Sequence, residues 1–373
     1  MTVLARGTVH TGTRVLPDGW VLLRGREVLQ VGLGPAPTGP AAAEETVEGA
    51  HVVPGFVDVH CHGGGGASFG GRGDEAVAAA RTVAATHRAH GTTTLVASLV
   101  TSPLDELAAT LDALADLVVD GELAGVHLEG PWLSPDHRGA HAPDLLRDPD
   151  PADLDRLLST GLVRMVTIAP ELPGGLAAVQ QITAAGAIAS IGHTGADAAT
   201  TRRAVDAGAR WATHLFNAMP PVHHREPGAV PALLDDDRVT VELIADGVHL
   251  HPLVVALAAR RAGRGRVALV TDAMSATGSA DGRYRLGDLN VDVVDGVARL
   301  AGGGSIAGST LTLDRALRFA VTEAGLDLED ALDAVTATPA RLLGRTDVGH
   351  LDPGARGGAV VLDADLALLR VLT

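Results

Sequence analysis

From residue 55 onwards the chain alternates short apolar runs with alanine-rich stretches that are typical of helices. Parallel strands that are buried on both faces read as continuous apolar runs, and eight strand–helix units over roughly 250 residues make up a (β/α)8 barrel. The sequence therefore predicts an α/β protein built on a (β/α)8 TIM barrel. The apolar runs are "FVDVH" (56–60), "TTLVAS" (93–98), "GVHLEG" (125–130), "VRMVTIAP" (163–170), "AIASIGH" (187–193), "WATHLF" (211–216), "VTVELIAD" (239–246) and "VALVTDAM" (267–274).

The two ends of the chain have a different pattern from the barrel region. Residues 1–53 contain strand-like runs separated by tight turns, and residues 345–373 end in "GGAVVLDADLALLRVLT", which again reads as strands. We expect these two segments to pair into a small β-sandwich domain beside a barrel domain of residues 54–344. Within the barrel domain, residues 283–301 predict a β-hairpin insertion and residues 310–343 predict helices.

Charge and composition narrow the classes of function. The net charge of −16 over 373 residues argues against binding to nucleic acid or to anionic membranes. All 29 basic residues are arginine, so the chain has no lysine for a Schiff base, for carboxylation or for a phosphate loop. The single cysteine excludes an internal disulfide framework, and the N-terminus lacks the apolar run of a signal peptide. These features predict a cytoplasmic location.

Two histidines stand one residue apart in "GFVDVHCHGG" (55–64), at the end of the first apolar run. Alternation along a strand places His60 and His62 on one face and Cys61 on the other. Two imidazoles that converge on one point are typical of a metal site. The alternative at this stage is a polar strand edge with two chance histidines.

Further polar side chains stand at the carboxyl ends of other apolar runs, which meet at the mouth of a barrel. A hydrolytic zinc site needs about three protein ligands and an open position for water. Glu129, His193 and His214 supply three such ligands. His60 and His62 supply a second ion position, with Glu129 as the bridging carboxylate. The polar side chains at these ends are Glu129, His193, His214, Asp246, His249 and Asp272.

Asp272 follows the eighth run and is a candidate for proton transfer. A free carboxylate beside a hydrolytic metal site takes a proton from the attacking water and returns it to the leaving group. The alternative is that Asp272 caps a following helix in "DAMSA" (272–276). Ser275 offers another cap, which favours the proton-transfer interpretation.

These motifs resemble the amidohydrolase superfamily, and within it they are similar to the N-acetylglucosamine-6-phosphate deacetylases. "HLEGP" and "THLFNAM…REPG" carry this resemblance more specifically than the H-x-H of the superfamily does. The resemblance spans almost the whole chain. Its stretches are "PGFVDVHCHG" (54–63), "GVHLEGPWLSPDHRGAH" (125–141), "IGHT" (191–194), "THLFNAMPPVHHREPG" (213–228), "ADGVHLHP" (245–252), "VTDAMSATG" (270–278) and "SIAGSTLTL" (305–313).

The resemblance implies a role for each matching residue. Asp272 is the catalytic acid and base, and His141 is the catalytic residue that polarises the acetamide carbonyl. Arg225 and His249 hold the phosphate, with Arg225 reaching in from the neighbouring subunit of a homodimer. The implied metal ligands are Glu129, His193, His214, His60 and His62. The implied substrate-binding residues are Ala140, His141, Asn217, Ala218, Arg225, Asp246, Gly247, Val248, His249, Ile306, Ala307 and Gly308.

The resemblance also implies a cofactor and a reaction. One or two divalent ions bind to each subunit, with zinc expected first and iron, cobalt or manganese as alternatives. The implied reaction is hydrolysis of the acetamide of N-acetyl-D-glucosamine 6-phosphate to D-glucosamine 6-phosphate and acetate, in amino-sugar catabolism and cell-wall sugar recycling.

Several alternatives stay open from the sequence. The chain could act as another amidohydrolase, such as a dihydroorotase-like or deaminase-like enzyme, although the subgroup with a carboxylated lysine is excluded. It could act on the galactosamine epimer, since one hydroxyl orientation separates the two substrates. It could also be a non-catalytic barrel, but no expected ligand is missing. Trp132 is either part of a lid over the substrate or a packing anchor.

Overall fold

A computed structural model of the chain describes residues 1–37, 43–302 and 304–373. Strands occur along most of its length and belong to a central parallel sheet, a sheet formed by both ends of the chain, and three smaller sheets. The strands are β1 (Thr2–His10), β2 (Val15–Arg24), β3 (Glu27–Leu33), β4 (Glu45–Pro54), β5 (Phe56–Asp58), β6 (Gly63–Gly64), β7 (Ala67–Ser68), β8 (Thr92–Leu95), β9 (Ala97–Val100), β10 (Val126–Glu129), β11 (Val163–Ile168), β12 (Ile188–Ile191), β13 (Trp211–Ala212), β14 (Thr240–Leu243), β15 (Val267–Leu269), β16 (Gly282–Leu286), β17 (Leu289–Val294), β18 (Val297–Leu300), β19 (Ala359–Leu362) and β20 (Leu368–Leu372).

Helices follow the strands of the central region and pack an apolar face against them. They are α1 (Gly73–Ala89), α2 (Leu104–Val119), α3 (Pro151–Leu158), α4 (Gly175–Ala184), α5 (Ala198–Asp206), α6 (Ala229–Asp235), α7 (Pro252–Ala262), α8 (Leu313–Thr322), α9 (Leu328–Val335) and α10 (Ala337–Leu342). In α2, Leu107, Leu111 and Leu114 are buried at a spacing that places them on one helix face. This amphipathic pattern fixes which side of the helix lies on the sheet.

The central strands are parallel and enclose the core. Strands β9 to β15 form one sheet in chain order, and β5 pairs with β8, which only Val96 separates from β9. At the other edge, Cys61 forms a parallel bridge with Ala273, and the Asp272 N–H donates to the His60 carbonyl at 2.8 Å. The segments that directly follow β5 and β15 therefore lie side by side. This arrangement fits the TIM-like barrel that the apolar runs predict.

Strands from both ends of the chain share one sheet, as the sequence predicts. Its order is β20-β19-β4-β1-β2-β3, with β1 and β4 parallel and the other neighbours antiparallel. One apolar cluster joins Val9 and Val52 from the first part of the chain to Leu351 and Val361 from the last part. The expected sandwich packing and the expected domain boundaries at residues 53 and 345 stay predictions.

The segment after the eighth barrel strand differs in detail from its prediction. In place of a two-stranded hairpin, β16, β17 and β18 form a three-stranded antiparallel sheet. The predicted helical region contains α8, α9 and α10. Among the described residues, none of the helices combines the length and the apolar character needed to span a bilayer.

Candidate active site

Most of the sequence-predicted polar residues stand where barrel strands end. Glu129 is the last residue of β10, His193 and His214 each come two residues after a strand, and Asp272 comes three residues after β15.

The position that follows His62 is occupied by glycine, Gly63, for a steric reason. A Cβ on Gly63 would lie 2.6 Å from the Ala67 carbonyl oxygen, so only glycine allows this close approach.

The backbone itself turns these side chains towards one another. His193, His214 and Asp272 have φ angles of 48°, 24° and 48°, in the left-handed region that residues other than glycine rarely adopt. Such conformations cost about 1–3 kcal/mol each and persist where the surrounding structure holds them. Their occurrence at three polar residues of one site is typical of a functional centre. Strand β13 ends at Ala212, before the end of its apolar run, although the Thr213 N–H still donates to the Ile191 carbonyl at 3.0 Å.

Glu129 lies at the centre of the cluster. Its Oε1 atom is 3.1 Å from His193 Nε2 and 3.0 Å from His214 Nε2, and those two nitrogens are 3.1 Å apart. Its Oε2 atom is 3.0 Å from His62 Nε2. All four side chains are buried. The structure therefore brings together the three ligands predicted for the first ion and places the second oxygen of Glu129 towards the H-x-H pair.

A second group of potential ligands shares Glu129 with the first. His60 Nε2 and His62 Nε2 are 3.1 Å apart, and Asp272 Oδ1 lies 3.4 Å and 3.2 Å from them. Together with Glu129, these residues form a four-residue set whose ligand atoms lie within 4.8 Å of one another. The shared carboxylate is the arrangement that a bridging ligand between two ions requires.

The hydrogen bonds behind the histidines test whether this cluster suits a cation. His193 Nδ1 faces the His137 carbonyl oxygen at 2.9 Å, and His62 Nδ1 faces the Ser98 carbonyl oxygen at 3.1 Å. A carbonyl only accepts, so we assign the proton of each neutral ring to Nδ1 and the lone pair to Nε2. Lone pairs and carboxylate oxygens thus converge on one place, and this donor set fits a divalent metal such as zinc.

The pKa shifts of the residues in the cluster also favour a bound divalent cation. Burial lowers the pKa of His193 to about 4, which keeps that ring neutral. Burial also opposes a charge on His62, but its hydrogen bonds with Asp272 and Glu129 outweigh burial and raise its pKa to about 9. The same carboxylates would stabilise a divalent cation in place of that proton. Burial opposes ionisation of Asp272 too, yet the neighbouring His60 and His62 hold its pKa well below the usual range.

His141 differs from the other histidines in its tautomer. The Thr101 N–H donates to His141 Nδ1 at 3.3 Å, and the Thr101 hydroxyl lies 2.9 Å from the same nitrogen. A backbone amide only donates, so we assign the proton of the neutral His141 ring to Nε2. Nε2 lies 3.4 Å from Glu129 Oε2, and His141 lines the cavity. His141 therefore presents a hydrogen-bond donor beside the candidate cation ligands.

A cavity of about 360 Å³ lies over the cluster. The predicted substrate-binding residues that line it are Ala140, His141, Asn217, Ala218, His249, Ile306 and Gly308. Met219 and, from β16, Leu286 also line it and were not predicted. Met219 lies inside the motif "THLFNAM" and Leu286 inside the predicted insertion, but an apolar side chain gives no chemical signal in the sequence. Trp132 is fully buried among core residues, which supports its interpretation as a packing anchor.

Other predicted residues lie outside this cavity in the single chain. Asp246 accepts a hydrogen bond from His249 Nδ1 at 2.7 Å and thereby orients the imidazole that lines the cavity. Ala307 is buried in an apolar cluster of the inserted sheet. Arg225 is exposed and contacts His224 at 2.7 Å. The remaining two, Gly247 and Val248, are likewise absent from the cavity lining.

Sequence reasoning missed Glu242, which lies directly behind the cluster. It is fully buried on β14 and accepts hydrogen bonds from Trp211 Nε1, from the His214 N–H and from His60 Nδ1. The available signal was a glutamate inside the apolar run "VTVELIAD", where a buried charge needs partners.

Comparison with known proteins connects this geometry to an enzyme family. The model of the amidohydrolase family matches residues 51–372. The N-acetylgalactosamine-6-phosphate deacetylase of Escherichia coli O157:H7 is 38% identical over 85% of this chain and 85% of its own length. The N-acetylglucosamine-6-phosphate deacetylase of Bos taurus is 39% identical over 85% of this chain and 81% of its own length.

Solved structures show the same similarity over the whole chain. A point mutant of N-acetyl-D-glucosamine-6-phosphate deacetylase from Mycobacterium smegmatis, in complex with N-acetyl-D-glucosamine-6-phosphate, is 50% identical with a TM-score of 0.93. The match covers 100% of this chain and 97% of that one. The N-acetylglucosamine-6-phosphate deacetylase of Thermotoga maritima is 29% identical with a TM-score of 0.88, and the match covers 100% and 98% of the two chains.

Proposed function

Because the chain belongs to the amidohydrolase family and is a hydrolytic enzyme, we propose that it deacetylates N-acetyl-D-glucosamine 6-phosphate to D-glucosamine 6-phosphate and acetate. The observation that carries this proposal is the Glu129-centred cluster of histidines, with Asp272 beside it beneath the cavity. Curated relatives with this named activity share 35–39% identity with most of the chain. A role in amino-sugar catabolism and cell-wall sugar recycling, and the cytoplasmic location, stay predictions from the sequence.

We propose a position for the cation from the chemistry of its candidate ligands. Glu129, His193 and His214 would hold one ion, and His60 with His62 would hold a second that shares Glu129. A divalent ion there supplies Lewis acidity, which lowers the pKa of a water molecule and polarises the amide carbonyl. Zinc suits this mixture of imidazole and carboxylate, and iron, cobalt and manganese are its alternatives.

The chain's own residues then carry the protons. Asp272 is ionised and accepts the proton of the attacking water on its carboxylate as the water oxygen bonds to the amide carbon. His141 donates its Nε2 proton in a hydrogen bond to the carbonyl oxygen as negative charge develops there. The protonated Asp272 then gives its proton to the departing amine nitrogen, and the C–N bond breaks. Acetate and the free amine leave the cavity.

The galactosamine epimer is a second candidate substrate. The relative from Escherichia coli O157:H7 that carries the galactosamine name matches this chain at 38% identity, close to the 39% of the Bos taurus relative that carries the glucosamine name. Identity therefore does not separate the two sugars. Separate assays with each phosphosugar decide between them.

An acetate-release assay tests the proposed function directly. With zinc-loaded protein we expect turnover of N-acetyl-D-glucosamine 6-phosphate, and about 10- to 100-fold lower kcat/KM for N-acetylglucosamine, since the missing phosphate removes charge-assisted hydrogen bonds. N-Acetyl-D-galactosamine 6-phosphate serves as the epimer control. Failure of the loaded enzyme to release acetate from any acetamido sugar phosphate would contradict the proposal.

We also propose the homodimer that the resemblance implies. Arg225 is exposed and lies outside the lining of the cavity, which supports the proposal that it contacts the phosphate in the cavity of a second subunit. Exposed apolar side chains occur on and just before α7, where Val248, Leu253 and Leu257 are 42%, 71% and 56% accessible. Apolar surface of this kind is typical of an interface between subunits.

Mixed dimers test the role of Arg225 across the interface. Arg225→Ala alone is expected to raise KM for the phosphosugar about 10- to 100-fold, because it removes a charge-assisted pair. When Arg225→Ala is co-expressed with the inactive Asp272→Asn, mixed dimers hold one site with native Asp272 and a native Arg225 from the partner. About a quarter of wild-type activity should return at low substrate if subunits pair at random. If activity does not rise above that of the separate variants, Arg225 acts within its own chain or not at all.

A further inference from the structure

Glu242 is a buried carboxylate that joins two ligands of the candidate ion sites. Its Oε2 atom accepts a hydrogen bond from His60 Nδ1 at 3.0 Å and another from the His214 backbone N–H at 2.8 Å. Its Oε1 atom accepts from Trp211 Nε1 at 2.5 Å. Its side chain is completely buried. Each oxygen is therefore satisfied by a fixed donor, and no water is needed to hold the side chain in place.

The charge of Glu242 is directed at the ion sites. Within the described residues, His60 is the one basic side chain that pairs with it, and no arginine lies within salt-bridge distance. When His60 is a neutral ligand, this buried carboxylate has no cationic partner, which is costly. The ion sites beyond His60 offer the compensating positive charge. Such a carboxylate behind a ligand histidine also makes the imidazole a stronger ligand.

The hydrogen bond from His60 fixes which nitrogen faces the ions. The Glu242 carboxylate accepts a hydrogen bond from His60 Nδ1, so the lone pair of the neutral His60 ring lies on Nε2. His60 Nε2 is 3.1 Å from His62 Nε2. The bond from the His214 N–H restrains the backbone where φ is 24°. Glu242 thus restrains one candidate ligand in each of the two ligand sets, His60 in one and His214 in the other.

We infer that Glu242 is the positioning residue of the site: it holds His60 in its Nδ1–H tautomer and anchors the His214 backbone, so that both halves of the cluster bind their ions. This inference rests on the proposed function only for the statement that the cluster binds divalent cations. It adds a residue that touches neither the ion nor the substrate. The sequence singled out no role for it.

Zinc affinity of the apoprotein, measured by competition with a chromophoric chelator, tests the inference without any turnover. Glu242→Gln keeps the shape of the side chain but removes its charge, so His60 Nδ1 loses its anionic acceptor. The NH2 group of glutamine must also face a donor, either Trp211 Nε1–H or the two groups that donate to Oε2. We expect zinc affinity to fall about 10- to 100-fold. The visible spectrum of the cobalt-loaded protein should change as well, because the ligand field of His60 changes.

A control separates positioning from packing. Trp211→Phe removes the donor to Oε1 and disturbs the same buried region, but it leaves both hydrogen bonds to Oε2 and the charge in place. It should lower thermal stability while keeping wild-type zinc affinity and the wild-type cobalt spectrum. Equal loss of affinity in both variants would reduce Glu242 to a packing role and overturn the inference.

A measurement on the wild-type protein covers the case in which Glu242→Gln does not fold. Histidine-selective 15N NMR of the zinc-loaded protein reports the protonated nitrogen of each ring, with His60 assigned by its loss in His60→Gln. A proton on Nδ1 supports the inference, and a proton on Nε2 overturns it. Should wild-type apoprotein fail to bind zinc at all, the proposed function fails instead, so the two failures are distinguishable.

Discussion

An Asp272→Asn variant is expected to lose about 10²- to 10⁴-fold in kcat while it keeps its ions, because general acid–base catalysis contributes a factor of this size. Asparagine has the shape of aspartate but cannot accept the proton of the attacking water or return one to the amine. Its side-chain oxygen can still lie where Asp272 Oδ1 lies, 3.2 Å from His62 Nε2. The proposed metal ligands Glu129, His193 and His214 are unchanged. Steady-state rates of acetate release and metal content per subunit measure the two effects separately.

The same substitution at an unrelated aspartate is the control. Asp197 caps α5 by accepting a hydrogen bond from the Thr200 N–H at 2.7 Å, and it is exposed. Asparagine caps a helix about as well as aspartate does, so Asp197→Asn should keep full activity and stability. Near-normal turnover in Asp272→Asn would show that another group moves the proton. If Asp272→Asn loses its ions, the main role of Asp272 is to bind metal, and its role in proton transfer is unsupported.

The position of most site residues was predictable because strand periodicity decides both fold and location. In a parallel barrel the carboxyl ends of all strands meet at one mouth, so a ligand type at the end of an apolar run is already placed in space. Glu129, His193, His214 and Asp272 were predicted in this way, and the structure brings their side chains together. Alternation placed both histidines of the H-x-H pair on one face of their strand.

The contacts of the residues that sequence reasoning missed depend on the register between strands. Glu242 lies before the end of its strand, so its contact with His60 depends on how β14 is aligned with strands far away in the chain. His127 is similar: it is buried inside the barrel, and its ring lies 4.6 Å from that of His60. The tautomers of the histidines could not be predicted from the sequence either. His141 and His193 carry their protons on different nitrogens because one faces a backbone N–H and the other a carbonyl.

A Glu129→Gln variant is expected to lose both ions, and with them at least about 10³-fold in kcat/KM, because metal ions contribute several kcal/mol to such reactions. Glu129 lies within 3.5 Å of the Nε2 atoms of His60, His62, His193 and His214. Burial opposes its charge, but the neighbouring histidines, His60 above all, hold its pKa well below the usual range. The neutral amide of glutamine removes the one charge that both ion positions share. Chelator treatment of the wild type should give the same loss, which added zinc reverses in the wild type alone.

A comparison of Glu129→Gln with His60→Gln tests whether the carboxylate is shared. His60 belongs to one ligand set and Glu129 to both, so His60→Gln should keep the ion of Glu129, His193 and His214 while the other position is emptied. Titration of zinc into each apoprotein counts the ions: two in the wild type, one in His60→Gln and none in Glu129→Gln at concentrations that saturate the wild type. Equal stoichiometry in the two variants would mean that the halves of the cluster are not joined through Glu129. The number of ions that each variant retains, rather than the loss of activity alone, therefore decides whether Glu129 bridges two ions.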